Sequence, residues 1–153
     1  MEIVLSHTEE NYIKTIYNLE LTTDFNVSTN LISGSLKTKA SSVTDMIKKL
    51  ADKNLVYHEK YKGVFLTPLG KKTALSIVRK HRLWEVFLVN KLHYNWDEVH
   101  ELAEQLEHIK SNSLVDKLDA YLKFPLFDPH GDPIPDINGN IIHHKNVMLS
   151  SIE

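Results

Sequence analysis

The chain has 153 residues, 42% hydrophobic and 25% charged, with a formal net charge of −2. That length suits one domain or two small ones sharing a core, and the composition is that of an ordinary globular protein. It contains no Cys, which excludes disulfides and thiolate metal sites. No stretch reaches the roughly 18 apolar residues of a membrane span, and the N-terminus lacks the basic-then-apolar order of a signal peptide. A cytoplasmic location without membrane contact is therefore expected.

The charges are unevenly placed. Residues 1–82 carry 13 Lys+Arg and 8 Asp+Glu, whereas residues 83–153 carry 5 and 12. A basic half suits a polyanion and an acidic half suits cations.

Residues 8–21 place Tyr12, Ile13, Ile16, Tyr17 and Leu19 close to helical spacing, with Thr8 as the expected N-cap. Glu9 and Glu10 suit the positive end of that helix. A short second helix is expected near Thr29–Leu36. In the third, Val43, Met46, Ile47, Leu50 and Ala51 form an apolar stripe, and Asn54 ends it. Its start is rich in hydroxyls (Ser41, Ser42, Thr44), with Lys37 and Lys39 just before and Asp45 and Lys48 on the polar side. Residues 55–67 then read as two short strands around a turn near Lys62-Gly63.

Three helices and a hairpin in this order spell a winged helix-turn-helix over residues 1–68. The third helix would enter a DNA major groove. The wing, with Lys60, Tyr61 and Lys62, would lie along the backbone. The Lys residues supply phosphate attraction, and the hydroxyls can bond phosphates or base edges. Asp45 can accept from a cytosine amino group. A solvated Lys-rich face of a protein-interaction module is the bland alternative.

Pro68 suits the first turn of a helix running to about Asn90. The apolar residues of this helix crowd towards its end, from Leu83 to Val89, which calls for cover on more than one side, as in a homodimer. The next helix is expected over 98–109, capped by Asp97, with Val99, Leu102, Ala103, Leu106 and Ile109 inward. On it, His100, Glu104, Glu107 and His108 fall on one side. His81 and Glu85, four residues apart on the preceding helix, add two more donors. Imidazole and carboxylate without sulfur suit Mn²⁺, Fe²⁺, Co²⁺ or Zn²⁺, and the carboxylate-rich set leans towards Mn²⁺. A last helix is expected over Ser113–Lys123, with Leu114, Val115, Leu118, Tyr121 and Leu122 inward. The Pro- and Gly-rich residues 125–153 read as a linker or arm. Within it, His143-His144 is a further, weaker donor pair.

Several of these segments together resemble the metal-dependent repressors related to the diphtheria toxin repressor and the manganese transport regulators. They are Glu10-Asn11-Tyr12-Ile13-Lys14-Thr15-Ile16-Tyr17, Ser41-Ser42-Val43-Thr44, Glu59-Lys60-Tyr61-Lys62-Gly63, Leu66-Thr67-Pro68-Leu69-Gly70, Arg79-Lys80-His81-Arg82-Leu83, Glu107-His108 and Asp132-Pro133-Ile134-Pro135. The resemblance covers roughly residues 5–137. It implies a mainly α protein: a winged helix-turn-helix domain, then a helical metal-binding and dimerisation domain over 69–124. It also implies a homodimer, a divalent metal as corepressor and a pseudo-palindromic double-stranded operator of metal-uptake genes. His81, Glu85 and His100 match one metal site of the iron-type members. Glu104, Glu107 and His108 match the other, which also takes a first-helix residue. Iron-type members carry sulfur at the position of Glu104, so Glu there resembles the manganese type. Mn²⁺ is thus the expected ion, Fe²⁺ the alternative, and Zn²⁺ or Co²⁺ possible in vitro. The sequence departs from the family in having Asn11 at the first-helix ligand and Lys14 where manganese-type members use Glu; Glu10 or His7 can compensate.

The sequence also admits two other readings. One is a DNA-binding regulator with a non-metal ligand. The other is a metal-dependent hydrolase, because His100-Glu101-Leu102-Ala103-Glu104 is one residue short of H-E-x-x-H.

Overall fold

The computed structural model describes residues 4–141. The chain folds as two compact units, Met1–Ala74 and Leu75–Glu153.

The first unit opens with α1 (His7–Thr23). Its cap is Ser6, two residues before the expected Thr8. Ser6 Oγ accepts from the Glu9 amide at 3.1 Å, and the Glu9 carboxylate accepts from the Ser6 amide at 2.9 Å. This reciprocal capping box outcompetes Thr8, which has no acidic residue three positions on. Ser28 caps α2 (Thr29–Leu36), which has the expected bounds. Lys37, in the left-handed conformation, turns the chain towards α3 (Ala40–Asp52).

Asn54 has φ 62°. The amides of Asn54 and Leu55 bond back to the carbonyls of Ala51 and Leu50, at 2.9 and 3.0 Å. That pair of hydrogen bonds is a Schellman stop, and it explains why α3 ends here. Val43, Ile47 and Leu50 are buried as expected, whereas Ala51 is exposed, because the helix has already turned its face away.

The hairpin pairs β1 (Val56–Glu59) with β2 (Gly63–Leu66), antiparallel, with Glu59 opposite Gly63. Its turn occupies residues 60–62, just before the expected Lys62-Gly63. Gly63 is required: it has φ 110°, and a Cβ there would lie 2.4 Å from the Val27 carbonyl oxygen. The same oxygen accepts the Val64 amide at 2.8 Å, which ties the hairpin to the helices. Ile13, Ile16, Val27, Ile32, Val43, Leu50, Leu55 and Val64 are fully buried at the centre of this unit.

The boundary between the units falls within α4 (Pro68–Asn90), which has the expected bounds. The second unit continues with α5 (Val99–Leu106) and α6 (Asn112–Tyr121). Its core gathers Leu83, Val86, Val115, Leu118 and Ile134, with Trp84, Phe87 and Leu122 against it. Leu114 and Tyr121, expected inward, are exposed. Only one side of α6 faces this core, and Tyr121 lies instead under the Lys91 ammonium, 5.0 Å from ring centre to Nζ.

The helix expected over 98–109 is shorter at both ends. Asp97 does not cap it; Glu98 occupies that position without a side-chain cap. The last turn tightens where the Ile109 amide bonds the Leu106 carbonyl, three residues back, at 3.2 Å.

The segment after α6, read in sequence as a linker or arm, is ordered by specific contacts as far as Asn140. Ile134 lies in the core, and Phe127 bridges to Pro133. Arg82 donates to the Pro133 carbonyl. Two turns of one design follow each other. Asp128 Oδ1 accepts the amides of His130 and Asp132, and Asp136 Oδ1 accepts those of Asn138 and Asn140. Each turn carries a Gly at positive φ, Gly131 and Gly139. His143-His144 lies outside the described residues.

Candidate metal centre and DNA-facing surface

The basic run Arg79-Lys80-His81-Arg82 looks in sequence like a polyanion patch, yet Arg79, Lys80 and His81 are buried. Each member holds a different piece of the second unit. Arg79 pairs with Asp119 at 2.9 Å and Asp116 at 3.5 Å on α6. Lys80 Nζ donates to the Ile109 carbonyl at 3.1 Å. Arg82 holds the Pro133 loop. His81 Nδ1 meets Glu107 Oε1 at 2.8 Å, and its Nε2 lies 3.5 Å from Glu85 Oε2. One turn of α4 thus anchors several parts of this unit, pointing in different directions at about 100° per residue.

Glu85 is the hub. Its side chain is 2% exposed. Its Oε2 lies 3.5 Å from His81, 4.0 Å from His100 Nδ1 and 3.5 Å from His130 Nδ1. It also hydrogen-bonds Asp128. Two donor groups therefore share it: His81–Glu85–His100 and Glu85–Asp128–His130, each with its ligand atoms within 4.8 Å of one another. Two donors about 2.1 Å from one ion stand at most about 4 Å apart, so small side-chain adjustments close either group around a cation. The donors are imidazole nitrogen and carboxylate oxygen only, which fits Mn²⁺ or Fe²⁺.

Electrostatics agree. Burial alone would lower the His81 pKa, but Glu107 and Glu85 outweigh it and raise it to about 9. Burial would raise Glu85, but its hydrogen bonds to His81 and Asp128 and the charges of His81 and His130 bring it below the ordinary value. Burial, and then the neighbouring Glu85 carboxylate, push Asp128 up to about 6 despite the Asp132 amide. Buried carboxylates crowded in this way call for positive charge beside them.

The remaining expected donors are placed differently from a single helix face. His100 and Glu104 are exposed and pair with each other, Nε2 to Oε1 at 2.8 Å. Glu107 and His108 are buried beyond the end of α5, with Glu107 turned to His81. Among the described residues, Glu104, Glu107 and His108 do not form a third cluster of the kind made by the two groups around Glu85. Glu10 and Asn11 lie on α1, in the first unit; Glu10 is buried and Asn11 half-buried. Asp128 and His130 were not singled out from sequence. The signal was the repeated pattern D-x-H-G-D and D-x-N-G-N, which marks 125–141 as ordered turns rather than a linker.

In the first unit every candidate DNA contact is exposed: Lys37 and Lys39 around the turn, Ser41, Ser42, Thr44, Asp45 and Lys48 on α3, and Lys60 and Lys62 in the wing. Lys39 is at the N-cap of α3, and the Thr44 hydroxyl donates to the Ala40 carbonyl at 3.1 Å. Tyr57 stacks on Phe65 across the hairpin, with ring centres 5.2 Å apart.

A helix-turn-helix with a wing, joined to a helical unit that converges His and carboxylate donors, defines a class of metal-responsive DNA-binding proteins. Comparison with known proteins agrees. Residues 4–64 match the family pattern described as iron dependent repressor, N-terminal DNA binding domain. Residues 67–136 match iron dependent repressor, metal binding and dimerisation domain. The chain belongs to the iron-dependent repressor family, a family of transcriptional regulators and not of enzymes.

Among solved structures, a manganese-dependent transcriptional repressor in complex with manganese is 43% identical, with a TM-score of 0.78. That match covers 88% of this chain and 62% of the other. The iron-dependent repressor IdeR of Mycobacterium leprae is 31% identical over 133 residues, covering 87% of this chain and 57% of that protein. An uncharacterized HTH-type transcriptional regulator of Methanocaldococcus jannaschii is 31% identical over 119 residues, covering 78% of this chain and 95% of that protein. The chain thus spans somewhat under two thirds of the repressors named for iron or manganese. No helix among the described residues is long and apolar enough to cross a membrane.

Proposed function

We propose that this protein is a metal-dependent DNA-binding repressor of metal-ion uptake genes, with Mn²⁺ as corepressor and Fe²⁺ as the alternative. It acts in the cytoplasm as a homodimer on a pseudo-palindromic operator. The observation that carries this reading is the convergence of His81, His100 and His130 on the buried Glu85, in a chain whose other unit presents an exposed Ser/Thr/Lys helix and wing.

His81, Glu85 and His100 would hold one cation, with Asp128 and His130 completing or extending the set. Glu104, Glu107 and His108 are the residues that the family resemblance assigns to a further position. The ion supplies positive charge among buried carboxylates. The protein's own part is to couple that charge to order. His81 ties α4 to the residues after α5, and Asp128 ties the 128–132 turn to α4. A cation favours this arrangement by binding it better than looser ones. In a dimer, the same arrangement fixes the spacing of two recognition helices on successive half-sites. On DNA, Lys37, Lys39, Lys48, Lys60 and Lys62 neutralise phosphates, while Ser41, Ser42, Thr44 and Asp45 lie where α3 meets base edges.

The test is enrichment of fragments from a genomic DNA pool with Mn²⁺, with Fe²⁺ under anaerobic conditions, and with chelator, at one fixed salt concentration. Selective enrichment with metal only is expected. Equal enrichment with chelator would favour a regulator with a non-metal ligand.

A further inference from the structure

Tyr61 is 94% exposed, more than any other large apolar or aromatic side chain among the described residues. It stands at the tip of the wing with φ 68°, a left-handed conformation that a bulky residue adopts only at a cost. Local structure offers its ring little in return: the Lys60 ammonium lies 5.3 Å from the ring centre, and the side chain buries almost nothing.

The platform beneath it is firm. Tyr57 stacks on Phe65, the Lys62 amide bonds the Glu59 carbonyl at 3.0 Å, and the Val64 amide is fixed to Val27. A stiff hairpin thus holds an aromatic ring outward with the Lys60 ammonium over it, while the neighbouring Lys62 ammonium lies 3.6 Å from Glu59 Oε2. Such a tip combines charge for phosphates with a flat apolar surface and a phenol. With α3 in a major groove, the surface next reached by a wing is the adjoining minor groove, whose walls are deoxyribose rings and whose potential attracts Lys. Proteins that enter that groove combine Arg, Lys, Asn or Gln with apolar side chains wedged against it.

We propose that Tyr61 is the wing's principal DNA contact, its ring packing on deoxyribose in the minor groove beside each half-site while Lys60 and Lys62 hold the flanking phosphates. This rests on the DNA-binding reading above.

The experiment uses the full chain with Mn²⁺ and the duplex that the wild type enriches from a random pool. Binding is measured over a range of salt for the wild type, Tyr61→Phe, Tyr61→Gly and a Lys60→Ala/Lys62→Ala double variant. Hydroxyl-radical footprints, which read minor-groove sugars, accompany it. Tyr61→Gly should bind at least about fivefold more weakly, the scale of one aromatic contact. Its salt slope should be unchanged, and protection beside the half-site should be lost. It should also melt no lower than the wild type, because Gly relieves the positive φ. Tyr61→Phe should match the wild type. The double Lys variant should flatten the salt slope by about 2.

Wild-type affinity and footprint in Tyr61→Gly would overturn the inference while leaving DNA binding intact. A Tyr61→Phe variant as weak as Tyr61→Gly would overturn ring packing in favour of the hydroxyl. Absence of binding by the wild type overturns the DNA-binding reading, and this inference with it.

Discussion

His81 Nδ1 lies 2.8 Å from Glu107 Oε1, and both side chains are buried. The two residues are 26 positions apart, so their contact fixes where the chain after α5 sits against α4. Breaking a buried charged pair by removing one partner typically costs about 3–5 kcal/mol. Glu107→Ala should therefore lower stability by about 3 kcal/mol in chelator, read by urea unfolding. It should also lose most of the stabilisation that Mn²⁺ gives the wild type. An unchanged Mn²⁺-induced rise in melting temperature would exclude Glu107 from the metal response.

Asp128 and Glu85 pose the opposite case, two buried carboxylates in hydrogen-bond contact. Asp128→Asn keeps the Oδ1 acceptor that the turn uses for the His130 and Asp132 amides, but removes a charge. The apo protein should gain stability, on the order of 1 kcal/mol, from relief of that repulsion. Mn²⁺ affinity should fall about tenfold or more, since a charged ligand is lost. Calorimetric titration and thermal unfolding of the same samples test both halves. A variant that loses stability and keeps its affinity would reduce Asp128 to a turn residue.

The structural half of this site was only partly legible in sequence. Helical spacing and Pro68 at a helix start were enough for α4, and they placed His81 and Glu85 on one face. They could not show that α5 ends at Leu106, because Val99, Leu102, Ala103, Leu106 and Ile109 keep the helical period past its end. What stops the helix is a single tightened turn, and Glu107 faces His81 rather than joining His100 and Glu104. Asp128 and His130 were hidden for a related reason. A stretch with four Pro and two Gly has no period, and only distant contacts, Ile134 in the core and Arg82 on Pro133, show that it is folded. Local signals of short range were decisive at some helix ends and not at others. Asn54 marked the end of α3 because that stop is made within a few residues, whereas the expected caps Thr8 and Asp97 gave way to Ser6 and Glu98.

The lysines proposed to contact DNA make a prediction in salt dependence. Lys48 is exposed on α3, and Lys39 stands at its N-cap. Each phosphate contact contributes about 0.9 to the slope of log affinity against log salt. Lys48→Ala should lower that slope by about 1 and weaken binding to all sequences alike. Ser42→Ala should leave the slope unchanged and act unevenly across operator variants if its hydroxyl reaches a base edge. Titration of a small set of operator variants at several salt concentrations separates the two. A slope untouched by Lys48→Ala would remove that residue from the interface.

Glu20, buried in the first unit, gives a pH signature independent of metal. Burial raises its pKa above the ordinary 4.5, and the Leu66 amide and the Lys71 charge offset this only in part. A carboxyl whose folded value is raised binds protons more tightly in the folded state, so its contribution to stability is fully present below the unfolded value. That contribution is lost as pH rises through the folded value, which leaves a penalty for the buried charge at neutral pH. Glu20→Gln keeps an oxygen to accept from Leu66 and removes the charge. It should raise the melting temperature at pH 7 and have little effect near pH 4, so that the wild-type and variant curves converge on acidification. Scanning unfolding of both proteins in chelator from pH 4 to pH 8 checks this. A variant less stable than the wild type at pH 7 would mean that attraction to Lys71 outweighs burial, and that the carboxylate is held there as an ion.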